Sequence, residues 1–461
     1  MDRDSIQKAG DVLIEQLSLI TSNNIVIDLS DFLVELNIYE DMFSNFLRGT
    51  IMLSDSRNLI QTGPIIGEEF LSITIRTPSF SQKIKKTFKV YKVSDRKIVR
   101  DNNTQVYLLH FVSVEVYYDI LLPLFIPFEG KITDIAGRVF TDFIAATRDY
   151  DINENERQTE VREVDNETPL IVLNDTANDV KFVSPGWTPF KIINWLASKA
   201  IPKNESAKNF LFFESNKAFY FGSIEYLFKD ITQSDSYIGE YTISASNIRD
   251  GKPTPDINRE YFIAKDVEMV ETTDGIKNFT NGYLASRLVT LDVYNKKYES
   301  IDYDYTKEYK NQWHSSGSGS TSIPIFAQNS LRNPFTHISF YPVNPRLFQN
   351  SESDYFKNNV SEKMGEIYGN RKSSLLDLSN LKLNMTVPGR TDIEVGNVLK
   401  FKYPGLGGKD EKSNEDNSLD KQYSGYYLIT AIHHKINKVT HYMSMECVKD
   451  SLYYDMLSLA E

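Results

Sequence analysis

The sequence predicts a β-rich α+β protein in which antiparallel barrels or sandwiches carry most of the strands. Three observations lead there. Tyr and Phe are abundant, 27 of each against 3 Trp, and both favour strands and interfaces. Short runs of alternating polarity are separated by turn residues, with few helical patterns between them. The alternation stops near residue 120 and comes back in pieces, at 260–294 and after 380. Two β-rich regions therefore flank a stretch of mixed character.

The bulk properties narrow the class. A chain of 461 residues exceeds one simple core and suits roughly two to four domains. Its 41% hydrophobic and 25% charged residues place it among folded soluble proteins. The net charge of -12 argues against a general nucleic-acid binder, which needs a basic face to displace counterions. The same charge would keep DNA from sticking to a wall that it slides past. Cys447 is the single cysteine, so no internal disulfide forms, and a reducing compartment fits. No apolar run nears the roughly 20 residues that span a bilayer; Pro123 and Pro127 interrupt the best, Ile120 to Phe128. The start Met1-Asp2-Arg3-Asp4 lacks the basic end and apolar centre of a secretory leader. The expectation is a soluble protein made in the cytoplasm, with no membrane insertion.

Ile6 to Ile20, with Val12, Leu13 and Leu17, reads as a short amphipathic helix or an extended arm whose apolar side needs a partner surface. Strand patterns begin at Ile25 and continue through Phe32 to Ile38, Leu47 to Leu53, Glu69 to Arg76, Lys86 to Asp95 and Gln105 to Tyr117. Ile132, Ile135, Ala136, Val139, Phe140 and Phe143 then recur at helical spacing. Asp149 to Asn178 is polar and acid-rich, and reads mostly as loop. Thr188 can cap a helix from Phe190 to Ala200, with Pro189 at its first position. Strands follow at Phe210 to Glu214 and Ala218 to Gly222, then at Glu260 to Met269 and Asn281 to Tyr294. Ser315 to Ser320 is a Gly/Ser loop and Ser351 to Leu376 looks helical. Alternation resumes at Leu381 to Val387, Val398 to Tyr403, Tyr426 to His433 and Thr440 to Val448, around a Gly-rich, charged hairpin loop at Gly405 to Lys421.

No constellation carries chemistry, so no catalytic, cofactor-binding or metal-binding residues are expected. His434 and His441 could face each other across a hairpin, but adjacent His433 and His434 point to opposite faces of a strand. No acid stands near them at a recognisable ligand spacing. Gly405-Leu406-Gly407-Gly408-Lys409 fails the spacing of a phosphate loop and joins two strands. Gly317-Ser318-Gly319 lacks the five-residue pattern of a nucleophile elbow. No pair of acids sits in a glycosidase-like setting. Glu40-Asp41, Asp55 and Gly67-Glu68-Glu69 read as solvated turns or as contacts between subunits.

Several segments together resemble the baseplate central hub family of contractile-tailed bacteriophages. The first runs from Glu35-Leu36-Asn37-Ile38-Tyr39-Glu40-Asp41 through Gly49-Thr50-Ile51-Met52-Leu53-Ser54-Asp55, Asn58-Leu59-Ile60 and Pro64-Ile65-Ile66-Gly67-Glu68-Glu69 to Leu71-Ser72-Ile73. It looks like the first tube-type barrel of such hubs. Pro189 to Ala197, Asn209 to Glu214 and Phe219-Tyr220-Phe221 are similar to the family's peripheral domain. Val387-Pro388-Gly389-Arg390-Thr391, Val395-Gly396-Asn397 and Ser424 to His434 resemble its second barrel. Order and spacing over most of the chain carry the match, more than any single motif.

The resemblance implies two tube-type antiparallel β-barrel domains with an inserted mixed α/β peripheral domain. The boundaries it suggests are an arm at 1–24, a first barrel at 25–120, a peripheral domain at 121–255 and 300–378, a second barrel at 256–299 and 379–450, and a tail at 451–461. It implies a late-made structural protein and no enzyme: a homotrimeric ring of pseudo-sixfold symmetry that adapts a sixfold tail tube to a threefold central spike. Its partners would be a central spike protein trimer, tail tube or tube-initiator proteins, and baseplate wedge proteins. DNA would pass through its channel during ejection without specific binding. Its place would be the virion tail baseplate, after assembly in the host cytoplasm, and piercing or cell-wall digestion would fall to partners. Two other readings stand beside it: the hub part of a secretion-system spike, and a virion-associated carbohydrate-active enzyme, which would need a cleft with paired acids.

Overall fold

The computed structural model describes residues 8–22, 25–63, 65–78, 80–99, 104–145, 168–234, 237–243, 257–271, 273–293, 296–316, 319–320, 337–342, 347, 360–405 and 419–452. Its largest feature is one sheet of fourteen strands, labelled here β1 to β14 in chain order. The first seven are Leu13–Ile20, Val26–Asp28, Leu33–Asp41, Arg48–Asp55, Phe70–Arg76, Lys83–Val99 and Thr104–Ser113. The second seven are Glu240–Ile243, Ile263–Ala264, Asp266–Glu271, Leu381–Pro388, Val398–Lys402, Gly425–Ile436 and His441–Lys449.

The two sets share one topology. The first pairs in the order β2-β1-β5-β6-β7-β4-β3. The second pairs as β9-β8-β12-β13-β14-β11-β10. Adding seven to each label of the first order gives the second. One difference is direction: β1 runs antiparallel to both neighbours, whereas β8 runs parallel to both of its own.

Each ladder also returns to its start. β2 and β3 are halves of one bent stretch: Leu29 N donates to Leu17 O of β1 at 2.8 Å, and Ser54 N of β4 donates to Phe32 O at 2.8 Å. β9 and β10 are separated only by Lys265, and pair with β8 and β11 respectively. Alternation explains the closure. β4 and β7 bury every second residue, so each strand presents one apolar face inward. Leu17, Leu36, Ile51, Ile73, Phe88 and Phe111 lie in the first core. Tyr241, Leu383, Phe401, Ile429 and Met443 lie in the second.

β13 joins the two ladders. Gly425 to Leu428 pair with β12, and Ala431 to Ile436 pair with β3. The register shift between Ile429 and Ala431 marks the change of partner, as a bulge bends a strand and increases its twist.

Two insertions form a third core. The one between β7 and β8 includes helices Ile132–Phe140 and Pro189–Ala197 and the hairpin Phe210–Glu214/Phe219–Ser223. The one between β10 and β11 includes strands Ala285–Asp292, Lys297–Asp304 and His337–Pro342 under helix Val360–Asp377. Phe140, Phe190, Phe212 and Phe219 of the first pack with Leu288, Met364 and Ile367 of the second. No described helix is long and apolar enough to cross a membrane.

The structure corrects several expectations. The described part of the 1–24 arm is neither helix nor arm: β1 lies between β2 and β5. Leu17 and Leu19 are buried, two residues apart, so the partner surface is the sheet itself. Within the 281–294 stretch, expected in the second barrel within 256–299, Ala285–Asp292 pairs instead with Lys297–Asp304 and His337–Pro342. Its cover is helix Val360–Asp377, whose Gly365 and Gly369 approach Ile301 and Tyr303 so closely that a Cβ would lie 2.7 and 2.4 Å away. Residues 240–243, expected in the peripheral unit, are β8. Thr188 makes no side-chain cap on its helix, although Pro189 opens it; Asp119 accepts from Phe190 N at 2.6 Å instead. Ser451–Leu452, expected in the tail, pairs with Gly319–Ser320. Residues 1–7, the acid-rich 146–167, Gly317-Ser318, most of the 405–421 loop and 453–461 lie outside the described residues.

Gly49 of β4 gives a test of this packing. A Cβ there would lie 2.3 Å from both Asn37 O and Phe111 Cζ. Gly49→Ala should cost about 1–3 kcal/mol through overpacking, read as a lower midpoint in chemical unfolding. An unchanged midpoint would show that β3 and β7 do not close on β4 this tightly.

Candidate assembly site at the junction of the two ladders

Polar residues gather where the ladders and the inserted hairpin meet, and each stands in the inward phase of an apolar strand. Glu40 follows Leu36 and Ile38 on β3. Lys86 stands between Ile84 and Phe88 on β6. Glu214 follows Phe210 and Phe212 on the hairpin. His434 stands between Ile432 and Ile436 on β13. All four side chains are buried. A buried charge must find a charged or hydrogen-bonding partner, so their partners locate the junction.

Glu40 binds three distant segments. Oε1 accepts from His434 Nε2 at 2.9 Å. Oε2 accepts from Asn216 N at 3.3 Å and Val395 N at 3.4 Å. The hairpin tip, 214–218, fills the space between the ladders. Glu214 pairs with Lys86, and it accepts from Ser113 Oγ at 2.5 Å and Leu47 N at 2.8 Å, all on the first-ladder side. Facing the second ladder, Ser215 Oγ donates to Glu394 Oε2 at 2.6 Å and Lys217 Nζ to Glu394 Oε1 at 2.8 Å. Asn216 Nδ2 donates to Ile393 O at 3.0 Å. Burial and the Glu394 charge push the Tyr220 phenol well up, so it donates to Glu394 as a neutral hydroxyl.

The histidines sit beside this knot. His434 Nδ1 lies 3.0 Å from His441 Nε2, so the two do face each other. His433 points to the opposite face, stacks on Tyr39 at 4.5 Å and meets Asn37 Oδ1 at 2.7 Å. Burial, and then the neighbouring His434, hold His441 well below the ordinary histidine pKa. Gly389 lies so close to His441 that a Cβ would come within 2.1 Å of the ring. His441 and His434 form a chain of hydrogen bonds ending on Glu40, not a cage with lone pairs converging on one point.

The remaining polar candidates brace their own loops. Asp55 accepts from Leu59 N at 2.7 Å and Gln105 Nε2 at 2.8 Å. Glu69 accepts from Ile66 N at 2.6 Å and Gly67 N at 3.0 Å. Both carboxylates are buried, so neither is a solvated turn.

A second buried cluster, His314 with Asp377 and Asp450, carries no signal in sequence spacing. His314 Nδ1 donates to Asp450 Oδ2 at 2.8 Å and Nε2 to Tyr309 O at 2.9 Å. Both ring nitrogens are thus donors, which suits an imidazolium and leaves neither to ligate a cation. Burial alone would lower the His314 pKa, but the Asp450 carboxylate raises it to about 9. Burial, with the Asp450 charge, raises Asp377 to about 7. Tyr283 and Tyr305 each donate to Asp377 at 2.8 Å. The cluster ties the insertion to the end of β14.

No family model matches the chain, and no curated protein matches its sequence. Solved structures do match its fold. A tail protein from Neisseria meningitidis MC58 aligns at TM-score 0.52 and 9% identity, over 95% of this chain and 97% of the other. The 43 kDa tail protein of prophage MuSo2 from Shewanella oneidensis aligns at TM-score 0.50 and 10% identity, over 95% and 99%. The chain shares its fold with these two tail proteins. In this fold the polar knot seats the inserted hairpin between the ladders. Its hydrogen bonds join the hairpin to both ladders at fixed distances.

Two measurements probe the knots. Lys86→Met strands the buried Glu214 carboxylate and should cost about 3–5 kcal/mol. Lys86→Met with Glu214→Leu should recover much of that loss, read by chemical unfolding. Equal losses in the single and double variants would mean the pair is not coupled. His314 has a folded pKa above its unfolded value near 6.5. Its stabilisation is full below pH 6.5 and is lost as pH rises through about 9. The stability gap between wild type and His314→Asn should therefore narrow from pH 6.5 to 9. A constant gap would show that His314 is not held charged.

Proposed function

We propose that this chain is a structural, non-catalytic subunit of the baseplate hub of a contractile phage tail. In this reading the two ladders are the two tube-type barrels, and the insertions are the peripheral unit. Three copies form a ring, and six similar ladders surround its axis. Such a ring matches a sixfold tail tube on one side and a threefold central spike on the other. The supporting observation is the repeated strand order, in a chain that follows the fold of two tail proteins along 95% of its length. A subunit that presents one topology twice can meet a sixfold neighbour with three copies.

The other partners are tail tube or tube-initiator proteins and baseplate wedge proteins. DNA passes through the ring during ejection without specific binding, since a net charge of -12 disfavours adhesion to phosphates. The protein belongs in the virion tail, after assembly in the host cytoplasm.

Mass photometry of the purified chain, alone and with the spike protein, tests the ring. A trimer is expected, with or without the spike. Immunogold labelling of purified tails should mark the end that bears the baseplate. A chain that stays monomeric, ignores the spike and is missing from tails would overturn the reading.

A further inference from the structure

The seam between the two ladders inside one chain is a template for a seam between two chains. Inside the chain, β13 leaves β12 after its bulge, and its outer half pairs with β3: Ala431 lies opposite Asp41 and Ile436 opposite Leu36. β6 is the counterpart of β13, being fourth in its own ladder. It has a similar build. Its inner half pairs with β5 as far as Phe70 and Lys89. Its ladder with β7 then shifts register between Val90 and Lys92, shifts again between Ser94 and Lys97 where β13 has no such shift, and runs on to Val99. Beyond that shift, the edge of β6 facing away from β7 carries no strand among the described residues.

The counterpart of β3 is β10. It pairs with β11 on one edge, and among the described residues no strand lies on the other. Val267 and Met269 pack inward on the second core, so Asp266, Glu268 and Val270 face out. On β6, Ile98 is 71% exposed and Tyr91 48%. Open strand edges of this length, dotted with apolar side chains, invite pairing unless they are covered.

The shared pairings align the two ladders residue by residue. Val90 opposes Phe111 where Ile429 opposes Cys447. Matched through their partners on β7 and β14, Ser94 corresponds to His433 and, past the second shift of β6, Lys97 to Lys435. On the short strands, Met52 and Thr386 bring Glu35 into correspondence with Asp266. Thr50 and Asn384 do the same for Asn37 and Glu268. Across the inner seam, Lys435 lies opposite Asn37 and its Nζ reaches Glu35 at 3.0 Å. The counterparts keep this polarity, with a lysine on the long strand and acids on the short one. Lys92, Arg96 and Lys97 also make outer β6 mainly basic, against Asp266 and Glu268 on β10.

We infer that the outer half of β6 pairs antiparallel with β10 of a second copy of this chain, with Lys97 facing Asp266 and Glu268 across the seam. This rests on the ring reading above and names its contact. The contact is head-to-tail, since different surfaces meet, and such contacts close into rings when the rotation permits.

Charge reversal and cross-linking of the full chain test it. Lys97, Asp266 and Glu268 are exposed, so the variants should fold. Lys97→Glu, or Asp266→Lys with Glu268→Lys, should each weaken self-association about tenfold or more, because like charges then meet. Combining them should restore association to within about threefold of wild type. Lys97→Cys with Glu268→Cys, directly opposed in this register, should give disulfide-linked oligomers under mild oxidation. Neither single variant should, since the native Cys447 is buried. If wild type forms rings but reversal changes nothing and no cross-link appears, this seam is wrong and the hub reading stands. A wild-type chain that never associates, even with the spike present, sinks the seam and the ring together.

Discussion

A carboxylate sealed from solvent constrains much of this molecule. Glu40 is 1% exposed and accepts hydrogen bonds from β13, from the inserted hairpin and from the loop before β12. An isolated ionised carboxylate in a core is very costly, and each donor must be in place for it to be tolerated. The register of β3 against β13 and the seat of the hairpin are therefore set together. A slip of one residue would turn Glu40 and His434 outward and bring Tyr39 and His433 in.

The knot and the apolar cores do different work. Three cores bury Leu, Ile, Val and Phe in large numbers, and that burial drives compaction. Apolar surfaces are not directional, so many packings of ladders and insertions would bury similar area. Polar groups that need partners at fixed distances remove most of these alternatives. The Lys86–Glu214 pair, the Glu40–His434 pair and the Ser215–Glu394 bond each join a different pair of bodies. The His314–Asp450 pair does the same for the second insertion.

The repeated topology shows how little sequence likeness a shared strand order requires. Both ladders close through one bent strand whose halves pair with opposite ends of the set. What recurs is strand order, alternation and the bulge after which β6 and β13 run on. Side-chain identities need not recur, because any apolar residue of suitable size fills an inward position. The second ladder also tolerates 109 inserted residues between β10 and β11, numbered 272–380, because loop closure becomes only slowly more costly with length.

Much of the β-structure was legible in the chain itself. Period-two burial in β4, β7 and β11, the helix opened by Pro189 and the break in the second β-rich region all follow from local patterns. β1 was not legible as a strand, because the apolar residues of Ile6 to Ile20 fit a helical stripe as well as a pleat. Lys86 and Glu214 carried a signal, a charge in the inward phase of an apolar strand, but nothing in that signal names the partner. They lie 128 residues apart, and Glu40 and His434 lie 394 apart. The sequence alone determined which segments alternate and which way their apolar faces turn, since those properties depend on neighbours along the chain. Only the tertiary structure decided that β3 pairs with β13 and that His441 and His434 end on a glutamate. Edge pairing and buried charge are satisfied across space, by residues whose separation in sequence holds no record of their contact.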